Sequence, residues 1–118
     1  MRSCLLAALF AAPGAGCAAT VHYVDVVNTA KDSLVAFAEA PAGSGAFLDL
    51  PLGGALRGGG DSATVAIEGD SRNCLRDLRA EFADGRVLIQ RGFDVCRYRS
   101  YHLGAHLRAA LRSRPARP

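Results

Sequence analysis

The sequence predicts an all-β domain. It should be a small antiparallel β-sandwich or half-open barrel with one disulfide, after an N-terminal signal helix and before a short C-terminal helix. Three observations carry this. About five to seven short runs of β-branched, aromatic or alternating residues lie between turn signals spaced roughly every 8–14 residues. No stretch beyond the N-terminus reads as a long helix. Two cysteines, Cys74 and Cys96, bracket an Asp84-Gly85 turn.

The chain has 118 residues and a mass of 12.3 kDa, enough for one domain. Hydrophobic residues make up 50% and charged residues 21%, which excludes a disordered chain. Beyond the N-terminus no apolar run approaches the ~18 residues of a membrane-spanning helix, which excludes a multi-span membrane protein.

Residues 1–18 read as a secretory signal peptide. Arg2 precedes the apolar run Cys4–Ala12, Pro13-Gly14 breaks it, and small residues follow through Ala19. Cleavage is expected after Ala18 or Ala19. No twin arginine is present. Ala15-Gly16-Cys17 resembles the end of a bacterial lipobox, which makes Cys17 a lipidation candidate, although Gly14 stands where leucine is usual. About 100 residues remain after the leader, 19–104 as the β domain and 105–118 as a basic tail.

Thr20–Asn28 is dense in β-branched and aromatic residues and reads as a strand. A polar turn runs from Asn28 to Asp32. Ser33–Ala40 is a second strand, with Val35 and Phe37 on one face and Leu34, Ala36 and Ala38 on the other. Both faces are apolar, which places it centrally in a sheet; Pro41 ends it because proline has no N–H for a ladder. Residues 41–61 hold seven glycines and two prolines and form a long loop with a short strand at Phe47–Leu50. Gly58-Gly59-Gly60 is not a phosphate loop, since Asp61 follows where lysine and Ser/Thr are required. Ser62–Glu68 alternates, with Ala63, Val65 and Ile67 on one face. Gly69–Ser71 is a turn. Cys74–Phe82 alternates again, with Cys74, Arg76, Leu78, Ala80 and Phe82 together. Arg86–Cys96 is its return strand and Arg97–Leu103 one more. Beyond Gly104, Leu107, Ala110 and Leu111 share a helical face, and the Arg112–Pro118 end is an arginine/proline tail.

The hairpin register tests the cysteines. A two-residue Asp84-Gly85 turn pairs Phe82 with Val87, Ala80 with Ile89 and Leu78 with Arg91. Cys74 then misses Cys96 by one place. A single bulge at Gly92 brings Cys74 opposite Cys96 and Arg76 opposite Asp94. A disulfide closing that loop is worth ~3 kcal/mol in the chain-entropy model. A zinc site in its place needs two more ligands, and none sits at metal spacing.

The pieces Cys74-Leu75-Arg76-Asp77-Leu78-Arg79, Phe82-Ala83-Asp84-Gly85-Arg86 and Asp94-Val95-Cys96, with Val26-Val27-Asn28, Asp32-Ser33-Leu34-Val35 and Ala40-Pro41-Ala42-Gly43 upstream, resemble a pattern in small exported bacterial proteins of unknown function. The resemblance covers about residues 21–98. It implies export, a β-rich fold and a disulfide, and carries no activity with it.

Catalytic constellations are sparse. His102 and His106 stand four apart, the spacing that puts two imidazoles on one helical face, and are the metal-site alternative. Gly104 lies between them and no glutamate follows His102, so the metalloprotease motif is absent. Ser33, His22 and Asp25 make a triad only on paper, because no Gly-x-Ser-x-Gly elbow presents a serine. No cofactor motif is present, and the protein is expected not to be an enzyme.

The charge is lopsided. Residues 19–70 carry Lys31 and Arg57 against seven acids, a balance of −5, and residues 71–118 carry eleven arginines against four acids, a balance of +7. Such a basic half reads first as a solvated basic face; as a partner surface it suits an anionic envelope surface or an acidic protein partner. Export argues against nucleic acid. The expected function is therefore a secreted or periplasmic, non-catalytic binding or envelope-associated module, the alternative being a periplasmic metal-binding or hydrolytic protein using His102 and His106, with His22 as a further candidate.

Overall fold

The computed structural model describes residues 20–69 and 72–112, the side chains of 109–112 excepted. The signal peptide, its cleavage site, Cys17, the Asp70-Ser71 turn, the tail from Ser113 and the side chains of Ala110 and Leu111 lie outside the described residues.

Seven strands and one helix follow in order: β1 (Thr20–Asn28), β2 (Leu34–Pro41), β3 (Leu48–Leu50), β4 (Asp61–Gly69), β5 (Leu75–Phe82), β6 (Val87–Asp94), β7 (Ser100–His102) and α1 (Leu103–Arg112). They form two sheets, β4-β1-β7 and β3-β2-β5-β6. Strand period decides which side chains enter the space between them. On β1 the even positions Val24, Val26 and Asn28 are buried, and Asp25 is exposed. On β4, Val65 and Ile67 are buried in the same way. Opposite them stand Phe37 of β2, Leu78, Ala80 and Phe82 of β5, and Leu88 and Phe93 of β6, in one continuous core. Tyr101 closes it, its ring 5.3 Å from Phe93 and 6.3 Å from Phe37. The Tyr101 hydroxyl is buried without a hydrogen-bond partner among the described residues, and burial pushes its pKa up.

β2 is central, as its two apolar faces predict. The faces themselves differ from expectation. The β2–β5 register shifts between Leu34 and Ala36, so Leu34 and Phe37 both point inward and Val35 turns outward. A bulge adds one residue to the strand and reverses the parity beyond it.

The β5–β6 hairpin also departs by one residue. Phe82 N donates to Arg86 O and Gly85 N to Phe82 O, so the loop holds three residues, Ala83 to Gly85, and Glu81 pairs with Val87. Gly85 sits at φ +92°, the left-handed residue that completes such a loop. The expected bulge is present: the register shifts between Arg76 and Leu78, and Gly92 takes φ +66°. Starting one residue out, the shift places Arg76 opposite Phe93 and Leu75 opposite Asp94. The anticipated Arg76–Asp94 pair does not form. Arg76 turns inward instead, with Nη1 3.4 Å from Glu39 Oε1 and Nη2 donating to the Glu68 carbonyl.

One strand pair is parallel. β7 joins β1 over Asp25–Val27, because the chain leaves β6 by a turn that crosses from one sheet to the other. α1 follows at once. Its first turn has no acidic residue; the Thr29 hydroxyl accepts the Gly104 amide at 2.8 Å in place of a local cap. Leu103 is buried and Leu107 packs on the core, while Arg108 is exposed.

Candidate binding face at the disulfide end

The disulfide joins Cys74, just before β5, to Cys96, just beyond β6, with Cα atoms 5.3 Å apart. The two are not directly opposed. Val95 N donates to Cys74 O, so Cys96 reaches diagonally across the strand ends. The bridge forms with the register one step short of the expected one because Cys96 lies in the turn beyond β6, where the chain no longer follows the strand's alternation and its Cα comes within 5.3 Å of that of Cys74. Asp94 Oδ1 accepts the Cys96 amide at 3.0 Å and fixes the turn.

Three arginines of the basic half fold back onto acids of the other half. Arg76 meets Glu39, Arg79 approaches Asp49 at 3.9 Å, and Arg86 bonds Asp32 at 2.8 Å as well as Asp84 at 2.7 Å. The pairs with Glu39, Asp49 and Asp32 cross between halves that are widely separated in sequence, and compensate part of the chain's charge asymmetry. Asp84 and Asp77 stay within the basic half, Asp77 held by Arg91 at 3.3 Å. Burial pushes the Glu39 carboxyl up, against the pull of Arg76. Arg97 and Arg99 have no carboxylate within 4.0 Å among the described residues.

These two flank Tyr98 in the turn from β6 to β7. The Arg97 guanidinium lies 5.7 Å from the Tyr98 ring centroid. Tyr98 is 50% exposed and Tyr23, on the outward face of β1, is 61% exposed. Between them Val21, His22, Tyr23, Val95, Cys96 and Arg99 line a polar cavity of about 120 Å³. A larger depression of about 320 Å³ beside β3 is lined mainly by Val35, Phe37, Leu50 and Leu52 and gathers no reactive group besides Asp49.

The comparisons leave the geometry to stand alone. No protein-family model, no curated protein and no solved structure matches the chain.

His102 ends β7 and His106 lies in the first turn of α1, so their spacing is not that of one helical face. The His106 ring stacks 4.6 Å from Tyr101, and burial, with His102 nearby, lowers its pKa. Among the described residues neither joins a group of three metal-ligating side chains. The paper triad is also dispersed. His22 lies beside Cys96, Asp25 accepts the Thr64 hydroxyl at 2.6 Å on the other face of β1, and Ser33 lies beyond the far end of that strand, about 20 Å from His22 at strand rise.

Two groups escaped sequence reasoning. His22 Nε2 stands 3.8 Å from Cys96 Sγ, and the Asp94 carboxylate lies with both sulfurs inside 4.8 Å. The parity of β1 was a usable signal for His22, which shares the inward face of Val24 and Val26. The inter-sheet neighbour it meets there was not visible in local spacing.

Proposed function

We propose that this chain is an exported, non-catalytic binding module that attaches to an anionic envelope surface through Arg97 and Arg99. The single observation behind the reading is that these two arginines stay uncompensated and exposed beside Tyr98 while Arg76, Arg79 and Arg86 are matched to acids. Guanidinium groups pair bidentately with phosphate, and tyrosines rest well at a headgroup interface. The leader-like residues 1–18, the disulfide and the resemblance to exported proteins all support export. No helix among the described residues is long and apolar enough to cross a membrane.

Co-sedimentation with phosphatidylglycerol vesicles tests it. Binding should weaken steeply as salt rises, since exposed charges are screened within about 10 Å at 0.1 M. Replacing Arg97 and Arg99 by serine should weaken it about 30-fold, at ~1 kcal/mol per arginine near an anionic surface. Binding that ignores salt, or that survives the double substitution, overturns the reading.

A further inference from the structure

The chain end around the staple holds more than a disulfide. Cys74 Sγ, Cys96 Sγ and an Asp94 carboxylate oxygen all lie within 4.8 Å of one another. His22 Nε2 is 3.8 Å from Cys96 Sγ. Two sulfurs, one oxygen and one imidazole nitrogen are the donors that zinc takes in tetrahedral sites. At zinc–sulfur and zinc–nitrogen lengths of about 2.3 and 2.0 Å, the edge of such a tetrahedron is about 3.5–3.8 Å. The His22–Cys96 separation is close to that length; His22 stands outside the 4.8 Å group of the other three, so its ring must close on Cys74 and Asp94 for the fourth bond. We propose that, when the Cys74–Cys96 bridge is reduced, Cys74, Cys96, Asp94 and His22 form a zinc-binding site.

The chemistry balances simply. A dithiol gives two electrons and two protons to the bridge and closes to its own disulfide, leaving Cys74 and Cys96 as thiols. Zinc then displaces both thiol protons as the two Zn–S bonds form. The sulfurs must part by under about 2 Å from their bonded distance to span a tetrahedral edge.

The surroundings suit the ion. His22 comes from β1 in one sheet, and the sulfurs and Asp94 from the β5–β6 hairpin in the other, so the metal would cross-link the sheets at the place the disulfide now holds. The Cys96 amide holds one Asp94 oxygen at 3.0 Å and so orients the carboxylate, as outer contacts of metal ligands do. Two thiolates, a carboxylate and Zn²⁺ sum to one negative charge, and Arg99 lines the same cavity. The bridge and the metal exclude each other, because a disulfide sulfur has given up its thiolate. The site is independent of the surface reading above and stands or falls apart from it.

The test uses the chain with Cys4 and Cys17 replaced by serine, reduced by a water-soluble phosphine and then freed of it under argon. Zinc should bind one ion per chain to the reduced form and none to the oxidised form. Cobalt(II) in its place should give tetrahedral d–d bands and a sulfur-to-cobalt charge-transfer band. His22→Ala and Asp94→Ala should each weaken zinc by at least the about 10–100-fold typical of lost outer-shell partners. Asp25→Ala, on the opposite face of β1, should change nothing. The oxidised variants' thermal melts separate a lost ligand from a lost fold, with His22→Gln or Asp94→Asn replacing the corresponding alanine variant if it melts early. Absence of stoichiometric zinc in the reduced chain overturns the proposal. So does an affinity indifferent to both His22 and Asp94, which would mark simple dithiol chelation.

Discussion

The Asp77 carboxylate accepts the Gly92 amide at 3.0 Å, at the place where the β5–β6 register slips by one residue. Its other oxygen accepts the Gly43 amide at 2.9 Å and Arg91 Nη1 at 3.3 Å. One side chain thus ties the loop after β2, the middle of β5 and the bulge of β6. The bulge leaves an amide without a ladder partner, and Asp77 supplies one. The amides of Gly43 and Gly92, with Arg91, hold its carboxyl below the ordinary 3.8. A depressed folded value adds stability above the unfolded value, and that stability is lost as pH falls through the folded one. Asp77→Asn should therefore be less stable at pH 7, and its urea midpoint should fall less than the wild type's between about pH 5 and about pH 2. Parallel pH profiles for the two proteins would show that the carboxylate is not the anchor.

Gly92 itself takes φ +66°, where an L side chain costs roughly 1–2 kcal/mol. Asparagine tolerates that region and valine does not. Gly92→Asn should lose under about 1 kcal/mol and Gly92→Val about 2 or more. Chemical denaturation of both variants checks the order, and equal losses would remove the bulge argument.

Why some of this was legible and some was not has physical reasons. β4 alternates without interruption, so its inward face could be read from period and its bounds to within one residue, and β1 could be read from its β-branched and aromatic residues. β2 could be placed centrally, but its bulge could not be seen, because no glycine marks the Leu34–Ala36 shift. Asp84-Gly85 signalled a hairpin without fixing its loop, since two- and three-residue loops both want glycine at a left-handed position. The disulfide survived that error because Cys96 sits in the turn beyond β6, free of the strand's alternation and within reach of Cys74. Glu39 as the partner of Arg76, and His22 beside Cys96, depend on which strand ends meet, and no local spacing carries that.

Arg76 and Glu39 form a pair whose side chains are only 6% and 9% exposed. Breaking such a pair strands a buried charge and costs about 3–5 kcal/mol, whereas replacing both by apolar groups of similar volume is often neutral or better. Arg76→Met alone should therefore be severely destabilising. The double variant Arg76→Met/Glu39→Leu should recover most of that loss. A double-mutant cycle by urea denaturation measures the coupling; additive losses would show that the pair does not act as a unit.

Asn28 is fully buried at the end of β1, and its amide has a full set of neighbours. Nδ2 donates to the carbonyls of Asp32 and Leu56, each at 2.8 Å, and Oδ1 accepts the Ala30 amide at 3.0 Å. The Asn28–Asp32 turn and the long loop are thereby locked to one side chain. Asn28→Ala leaves the Ala30 amide and the Asp32 carbonyl unpaired, while the Leu56 carbonyl keeps the Leu34 amide, at about 1–3 kcal/mol for each that water cannot reach. A loss of roughly 2–4 kcal/mol is expected, with faster amide exchange at Ala30. A loss under about 0.5 kcal/mol would mean that the turn is held by other contacts.

The staple closes a loop of 22 residues between the two outer ends of the β5–β6 hairpin. Its stabilisation comes mainly from the unfolded chain, which the bridge deprives of conformations, at ~3 kcal/mol for a loop of this size. The folded hairpin keeps its ladder, its bulge and its Asp77 anchor when the bridge opens, so reduction should lower stability without changing the β-sheet spectrum. Cys74→Ser should cost about 2–5 kcal/mol, and reduction of the wild type in a chelating buffer should cost the same. Reduction of the variant should cost nothing further. The measurement is urea denaturation of both proteins with and without phosphine, paired with thiol titration of the denatured, unreduced chain in the Cys4→Ser/Cys17→Ser background. Two titratable thiols there, or a further loss on reducing the variant, would show that Cys74 and Cys96 are not what holds these strand ends together.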